Sequence, residues 1–215
     1  MKPSLLRLKA AGFAPSRVLD VGCEQGAFSL EISSLFPGVE VVMIDAEKYN
    51  FKDDIPNSTF IKQVISNEEK SVDWYSNHTS GDSIYKEVTP YYANIKPTKR
   101  EAISLDSALN SYLEKNLKFD LIKLDVQGSE IDVIEGGTKV FSNCEALILE
   151  IPFCGIYNKG SPDFYQYMET LRNLKFYPLD LDELHYFKEL LVQIDILFVK
   201  KDSPIFNLIQ EALEA

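Results

Sequence analysis

Long apolar runs are absent from this sequence. No stretch of about 18 consecutive apolar residues occurs, and this excludes a membrane-spanning helix by the usual length criterion. The N-terminal segment MKPSLLRLKAAGFAPSRVLDVG also lacks the uninterrupted apolar core of a secretory signal peptide. We therefore expect a soluble, cytoplasmic protein with no membrane partner.

Cysteine and histidine are scarce as well. The three cysteines, Cys23, Cys144 and Cys154, form no CxxC pair and are odd in number, so neither a disulfide framework nor a zinc knuckle is expected. We interpret them as reduced, buried thiols. The two histidines are His78 and His185. No regular spacing of ligand residues predicts a metal site.

An excess of basic charge is missing. The chain has 22 Lys and Arg against 33 Asp and Glu, a formal charge of −11, and its basic residues do not cluster. A protein that binds the phosphate backbone needs such clusters, so nucleic acid is not an expected partner. At 215 residues and 45% hydrophobic content, the chain is the right size for a single domain over residues 1–215. The oligomeric state is left open.

Short apolar runs alternate with segments of helical periodicity. Strand-like runs occur at residues 17–22, 39–45, 59–66, 119–125 and 145–151. This alternation predicts parallel βαβ units. Two late runs, 175–181 and 191–201, have no long helix between them and predict an antiparallel pair at one edge. The predicted fold class is therefore a three-layer α/β fold with a mostly parallel sheet.

Residues 67–100 show no sustained periodicity and are polar and aromatic. An irregular segment of this length in a compact domain is typical of a lid or substrate loop, and the alternative is a disordered surface insertion. After it, Asp106 is placed to be the N-cap of a helix.

Acidic residues stand at or near the ends of four predicted strands, namely Asp20, Asp45, Asp125 and Glu150. In sheets of this kind, ligands bind beyond the carboxyl ends of the strands. The first turn, DVGCEQG, has the spacing GxxxG rather than GxGxxG, and its acids would repel a diphosphate. Asp45 is well placed to accept both hydroxyl groups of a ribose. A nucleoside with a cationic tail and no phosphate is S-adenosylmethionine; the alternative is that Asp20 and Asp45 only shape turns.

Two segments resemble a known family. VLDVGCEQGAFS (18–29) resembles the first signature of class I S-adenosylmethionine-dependent methyltransferases, and FDLIKLDVQGSEIDVIEGG (119–137) is similar to the signature of their FkbM-type branch. AISLDSAL and DILFVKKD also resemble that branch, so the likeness spans about residues 17–202. It implies a Rossmann-like class I methyltransferase fold with a seven-stranded sheet and one antiparallel edge strand. It also implies an O-methyltransferase that acts on hydroxyl groups of sugars, glycans or secondary metabolites.

The resemblance further implies which residues bind the cofactor. Asp20, Gly22 and Gly26 would line its methionine and ribose side, Asp45 the ribose, Val64 and Ile65 the adenine, and Asp125 and Gln127 the methyl group. The turn departs from the branch at Cys23-Glu24-Gln25, where a small residue and an asparagine are more usual.

Methyl transfer to a hydroxyl group requires positioning of the acceptor and removal of its proton. Asp125 is the first candidate for the base or for orienting the acceptor, and the alternative is that it caps the following helix. His78 is a second candidate base if its loop closes, and otherwise a solvated loop residue. Glu150 is a candidate for substrate contact or, together with Asp125, for binding a divalent metal, although no ligand spacing supports a metal.

Trp74 and Tyr75 are candidate substrate-stacking residues in the loop, and simple packing is an equal alternative. Glu130 is expected to be structural and to stabilise the start of its helix. Two other functional classes stay open at this point: an NAD-dependent oxidoreductase on the same architecture, and a catalytically inactive methyltransferase fold that serves as a binding subunit.

Overall fold

A computed structural model describes residues 2–49, 54–153 and 157–214 of the chain. Its strands in this part of the chain are, in order, β1 Arg17–Val21, β2 Glu40–Asp45, β3 Ser58–Lys62, β4 Val64–Ser66, β5 Lys70–Trp74, β6 Lys86–Glu87, β7 Thr98–Ser104, β8 Leu121–Leu124, β9 Ala146–Pro152, β10 Asn158–Lys159, β11 Phe176–Phe187 and β12 Leu190–Lys200. Its helices there are α1 Pro3–Ala10, α2 Ala27–Leu35, α3 Leu105–Ala108, α4 Asn110–Leu113, α5 Glu130–Gly136, α6 Thr138–Ser142, α7 Phe164–Asn173 and α8 Pro204–Glu214. A 3-10 turn covers Pro90–Tyr92.

The central sheet of the described residues has seven strands in the order β11-β12-β9-β8-β1-β2-β3. Strands β3, β2, β1, β8 and β9 are parallel to their neighbours. Strand β12 runs antiparallel to both β9 and β11, so the expected antiparallel pair lies at one edge of the sheet. The predicted fold class, a mostly parallel Rossmann-like α/β sheet, is confirmed.

The two faces of the sheet bury two separate cores because successive side chains of a strand point to opposite faces. On β1, Leu19 and Val21 pack in one core, together with residues of α3, α5, α6 and α7. Val18 packs in the other core, with residues of α1, α2 and α8. The three predicted layers follow from this alternation.

The third predicted strand, 59–66, is in fact two strands. Strand β3 ends at Lys62, and the chain then leaves the central sheet so that Val64 pairs with Ala102 of β7. The Gln63 side chain donates hydrogen bonds to the carbonyl oxygens of Val64 and Glu101, at 3.3 and 3.2 Å. These bonds satisfy backbone groups at the point where the chain changes sheets.

Segment 67–100 is more regular than predicted. Strand β5 pairs antiparallel with β7, and the two form a three-stranded sheet with β4. The prediction missed β5 because only Val72 and Trp74 of its five residues are buried, which is too short an alternation to stand out. Most of the segment's irregular chain lies between β5 and β7, a part that also contains β6 and the 3-10 turn.

Asp106 is not the N-cap of the helix that follows β7, so this prediction was wrong. Ser104 fills that position, because its side chain accepts the backbone N–H of Ser107. The Asp106 carboxylate instead accepts hydrogen bonds at 3.2 Å from the backbone N–H groups of Lys139 and Val140, in the first turn of α6. It therefore caps a helix distant in the sequence.

Cys23 and Cys144 are buried free thiols, as expected, and Cys154 lies outside the described residues. None of the helices in the described ranges is both long and apolar enough to cross a membrane.

Candidate active site

A cavity of about 680 Å³ opens at the carboxyl ends of β1, β2 and β8. Four acidic residues and no basic residue are found among the described residues that line it; the acids are Glu24, Asp45, Asp82 and Asp125. The cavity therefore favours a cationic ligand over an anionic one.

Gly22 brings the end of β1 close to the end of β8. Its φ is +80°, and a Cβ atom at this position would lie 1.8 Å from the carbonyl oxygen of Asp125. Only glycine fits here, because both the backbone conformation and the space exclude a side chain. Gly26, which precedes α2, does not itself line the cavity.

Asp45, the last residue of β2, lies on the cavity wall. Its two carboxylate oxygens accept the backbone N–H groups of Glu24 and Glu47, both at 2.9 Å. These bonds fix the carboxylate, while each oxygen keeps a lone pair for a ligand hydroxyl group. Burial raises the pKa of Asp45 although both hydrogen bonds lower it.

Asp20 lies beneath the cavity rather than on its wall. It is fully buried, its Oδ2 accepts the Ser29 hydroxyl at 2.6 Å, and its Oδ1 has no hydrogen-bond partner among the described residues. Burial raises the pKa of Asp20, and the nearby charge of Lys123 opposes this effect. Asp20 is therefore not positioned to contact a ligand directly.

Part of the cavity lining is apolar. Val64 and Ile65 line the cavity together with Ile44 and Ile84, and the expected contact of Val64 and Ile65 with an adenine stays a prediction. Trp74 also lines this cavity, and the guanidinium group of Arg100 lies 4.9 Å from its ring centroid. A flat apolar ring system would fit against these side chains.

Asp125 follows directly after β8 and holds a fixed carboxylate. Its Oδ2 accepts Lys123 Nζ at 2.7 Å, and its Oδ1 accepts Gln127 Nε2 at 3.2 Å. Burial lowers the pKa of Lys123, but the carboxylates of Asp125 and Asp20 outweigh burial and raise it overall. Lys123 therefore stays charged beside Asp125.

The start of α5 is stabilised by Glu130. Its Oε1 accepts the backbone N–H groups of Val126 and Gly128, at 2.9 and 3.3 Å, and its Oε2 accepts the Tyr167 hydroxyl. This matches the structural role expected of Glu130. It also leaves the Asp125 carboxylate directed at the cavity.

A second cavity, of about 1150 Å³, adjoins the first. Both are lined by Asp125, Thr79 and Ser80, so they meet at the end of β8. The wall of the second cavity includes Gln127 and Glu150. Gln127 Nε2 donates to Glu150 Oε2 at 2.7 Å and so connects Glu150 with Asp125.

His185 is the histidine that lines the second cavity. It lies on β11, and its Nε2 is 3.2 Å from Asp195 Oδ1 on the adjacent strand β12. The hydrogen bond with Asp195 raises the pKa of His185, and burial opposes this. No local motif marks His185, and only the register of the β11–β12 pair, in which it faces Gln193, brings it close to Asp195.

Two predicted residues lie apart from both cavities as far as the described residues define them. His78 is exposed in the loop after β5, where its backbone N–H donates to Ser76 Oγ at 3.2 Å. Tyr75 makes an isolated bridge with Ser83 and lines neither cavity. The structure thus brings Asp45, Gly22, Asp125, Gln127 and Glu150 together, but not these two.

Comparison with protein families identifies one match. Residues 20–177 match the family described as "Methyltransferase FkbM domain", and this range is most of the chain. No curated protein matches the chain by sequence.

Solved structures with a similar fold are distant. Magnesium protoporphyrin IX methyltransferase from Synechocystis PCC 6803, with bound SAM, is 14% identical over 92% of this chain and 76% of its own, with a TM-score of 0.49. 1,6-didemethyltoxoflavin-N1-methyltransferase from Burkholderia thailandensis is 13% identical over 93% of this chain and 77% of its own, with a TM-score of 0.49. An N-methyltransferase from Bradyrhizobium japonicum WM9 is 11% identical over 93% of this chain and 85% of its own, with a TM-score of 0.45. Likenesses this distant carry no argument about substrate.

Proposed function

The chain belongs to the FkbM methyltransferase family, and from this premise we propose that it transfers a methyl group from S-adenosylmethionine to a hydroxyl oxygen of a sugar, glycan or secondary metabolite. The observation that supports this most is the position of Asp125 on the wall of both cavities. One cavity has the features of a cofactor site and the other has room for an acceptor.

The first cavity fits S-adenosylmethionine in charge. This cofactor has an ammonium group, a sulfonium group and one carboxylate, so that it is net cationic, and it has no phosphate; the lining has four carboxylates and no basic side chain among the described residues. The same lining disfavours a nicotinamide dinucleotide, because its diphosphate would lie against carboxylates. Charge thus supports the methyltransferase over the NAD-dependent oxidoreductase.

The shape of the first cavity fits the same ligand. Asp45 would accept the two ribose hydroxyl groups, and the closely turned backbone at Gly22 would lie along the aminoacyl side. Val64 and Ile65 would flank the adenine. Asp20 would support this turn from below through Ser29 rather than contact the ligand.

The bound cofactor supplies an electrophilic methyl group, and the protein must place an acceptor oxygen in line behind it. We assign this positioning to Asp125, whose carboxylate is held by Lys123 and Gln127. It would accept a hydrogen bond from the acceptor hydroxyl group and take up its proton as the oxygen is methylated. The loop between β5 and β7 contributes Thr79 and Ser80 to both cavities and is proposed to cover the site.

A calorimetric titration tests the cofactor assignment. Wild-type protein should bind S-adenosylhomocysteine and not NAD, and Asp45→Ala should weaken that binding at least tenfold because the ribose contacts are lost. Asp73→Asn is a matched control, since Asp73 lies on β5 and pairs with Lys99 outside the cavity. Absence of S-adenosylhomocysteine binding would refute the proposal, and binding of NAD would favour an oxidoreductase.

A transfer assay tests the acceptor class. Radiolabelled S-adenosylmethionine and pooled hydroxyl-bearing glycans and metabolites should give a methylated product, and Asp125→Asn should lower its rate by about a hundredfold while cofactor binding is kept. If wild-type protein binds cofactor and methylates no member of the pools, the chain is better described as a binding subunit.

A further inference from the structure

Three side chains on or beside the second cavity direct potential metal ligands at one point. They are Glu150 of β9 and His185 and Asp195 of the antiparallel pair β11–β12, and their ligand atoms all lie within 4.8 Å of one another. We propose that this cluster binds a divalent cation. The pairing of Glu150 with Asp125 considered from the sequence is thereby replaced by a different set of ligands.

The distances between the three atoms suit a shared ion. His185 Nε2 is 3.2 Å from Asp195 Oδ1 and 3.8 Å from Glu150 Oε1. Ligands at adjacent corners of a coordination sphere, each about 2.1 Å from the ion, stand about 3 Å apart. An ion could therefore contact all three after movements of a few tenths of an ångström.

The two carboxylates are already oriented by partners on their outer oxygens. Glu150 Oε2 accepts the amide groups of Gln127 and Gln193, both at 2.7 Å. Asp195 Oδ2 accepts Lys2 Nζ at 2.9 Å. In each case the other oxygen faces His185. Partners of this kind, which fix a ligand from behind, are typical of metal centres.

Charge and access also favour a cation here. Glu150 and Asp195 are both buried, and of the described basic residues only Lys2 forms an ion pair with either, apart from His185 itself. Glu183 lies 3.9 Å from His185 Nε2 but is 57% exposed and also pairs with Lys2 Nζ at 3.4 Å, so it stays outside the cluster. The imidazole is itself 37% exposed toward the cavity, so coordination positions stay open on the acceptor side.

One nitrogen and two carboxylate oxygens with open positions suit a divalent transition metal such as Mn²⁺. Such an ion would lower the pKa of a bound acceptor hydroxyl group, and this role rests on the proposed function. Gln127 links the cluster to Asp125, which would place the activated oxygen beside the methyl-transfer point. Binding of the ion itself does not depend on the cofactor.

The test is a titration of chelator-treated full-length protein with Mn²⁺ alone, followed by the loss of the free Mn²⁺ signal in electron paramagnetic resonance. We expect one site in the wild type. Glu150→Gln and His185→Gln should each weaken it at least tenfold. Glu183→Gln is the matched control, because it removes a nearby exposed carboxylate outside the cluster, and should change affinity less than threefold.

Three results would overturn the inference: no Mn²⁺ site in the wild type, equal affinity in the wild type and both cluster variants, or a loss in Glu183→Gln as large as in Glu150→Gln. The first would mean that His185 serves only as a hydrogen-bond partner of Asp195. Circular dichroism separates misfolding from ligand loss, and the more exposed His185 gives the variant least prone to misfold. Mn²⁺ binding without S-adenosylhomocysteine binding would leave the ion site standing while the proposed function fails.

Discussion

Replacement of Glu130 by glutamine is expected to make the protein more stable relative to wild type at pH 8 than at pH 5. Glu130 is fully buried at the start of α5 and accepts hydrogen bonds from Val126, Gly128 and Tyr167. Burial raises its pKa to about 7, from an ordinary value of 4.5, although its hydrogen bonds act in the opposite direction. Glutamine has nearly the same shape and no charge at any pH.

Proton linkage determines the direction and the magnitude of this pH dependence. Between pH 4.5 and about 7, native Glu130 still binds a proton that the unfolded chain has released, so the free energy of unfolding falls as the pH rises. The loss is complete above about pH 7. At about 1.4 kcal/mol per pKa unit, the separation of the two values corresponds to roughly 3 kcal/mol at most. Any cost of imperfect hydrogen bonding by glutamine should be the same at each pH.

The assay is urea unfolding followed by far-UV circular dichroism at pH 5, 6, 7 and 8. The difference in unfolding free energy between Glu130→Gln and wild type should shift in favour of the variant by about 2–3 kcal/mol across this range. Glu135→Gln removes an exposed carboxylate from the same helix and controls for the loss of a charge from α5. A difference that stays constant within about 0.5 kcal/mol would refute the reasoning, because Glu130 would then be charged in the fold throughout.

Three further substitutions test the turns and ion pairs around the site. Gly22→Ala should unfold the protein or lower its melting temperature far more than Gly38→Ala, since both have positive φ but only Gly22 would clash, with the Asp125 carbonyl group; equal losses would contradict this. Lys123→Met should cost about 3 kcal/mol or more in urea unfolding because the half-buried Asp125 and the buried Asp20 lose their nearby cation, and a cost below about 1 kcal/mol would show that this cation contributes little to stability. Asp106→Ala should cost about 1 kcal/mol by the same measurement, as expected for loss of a helix cap, and no cost would mean that water replaces it.

The first cavity could be predicted from the sequence because much of it is built from local strand–turn–helix units. Parallel strands end at the same edge, so an acid at the end of each strand is placed near the others by topology alone. The pattern of acids at strand ends does not predict which way each side chain points. Asp20 and Val18 are two residues apart on β1, so their side chains point to the same face of the sheet, where α2 packs. The Asp20 carboxylate accordingly contacts Ser29 of that helix. An acid at a strand end therefore lines the cavity only if its position on the strand, or a turn after the strand, directs its side chain toward the cavity.

The second cavity depends on contacts between distant parts of the chain. Glu150 is fixed by Gln193, and Asp195 by Lys2, at separations of 43 and 193 residues. His185 reaches this cluster through an antiparallel pair whose register shifts on both sides of it, so no simple count along the sequence places it. His78, in a loop rich in aromatic residues, was the more conspicuous histidine and lines neither cavity among the described residues.

The two cavities should differ in how readily substitutions change them. Gly22 and Asp45 are constrained by backbone contacts, an excluded Cβ in one case and two backbone N–H donors in the other. Most side chains of the second cavity come instead from the loop after β5 and from strands β11 and β12. Substitution of an exposed residue such as Tyr186 or Tyr91 disturbs few backbone bonds. Such changes should therefore alter acceptor preference while S-adenosylhomocysteine affinity, measured by the same calorimetry, stays within a few-fold of wild type.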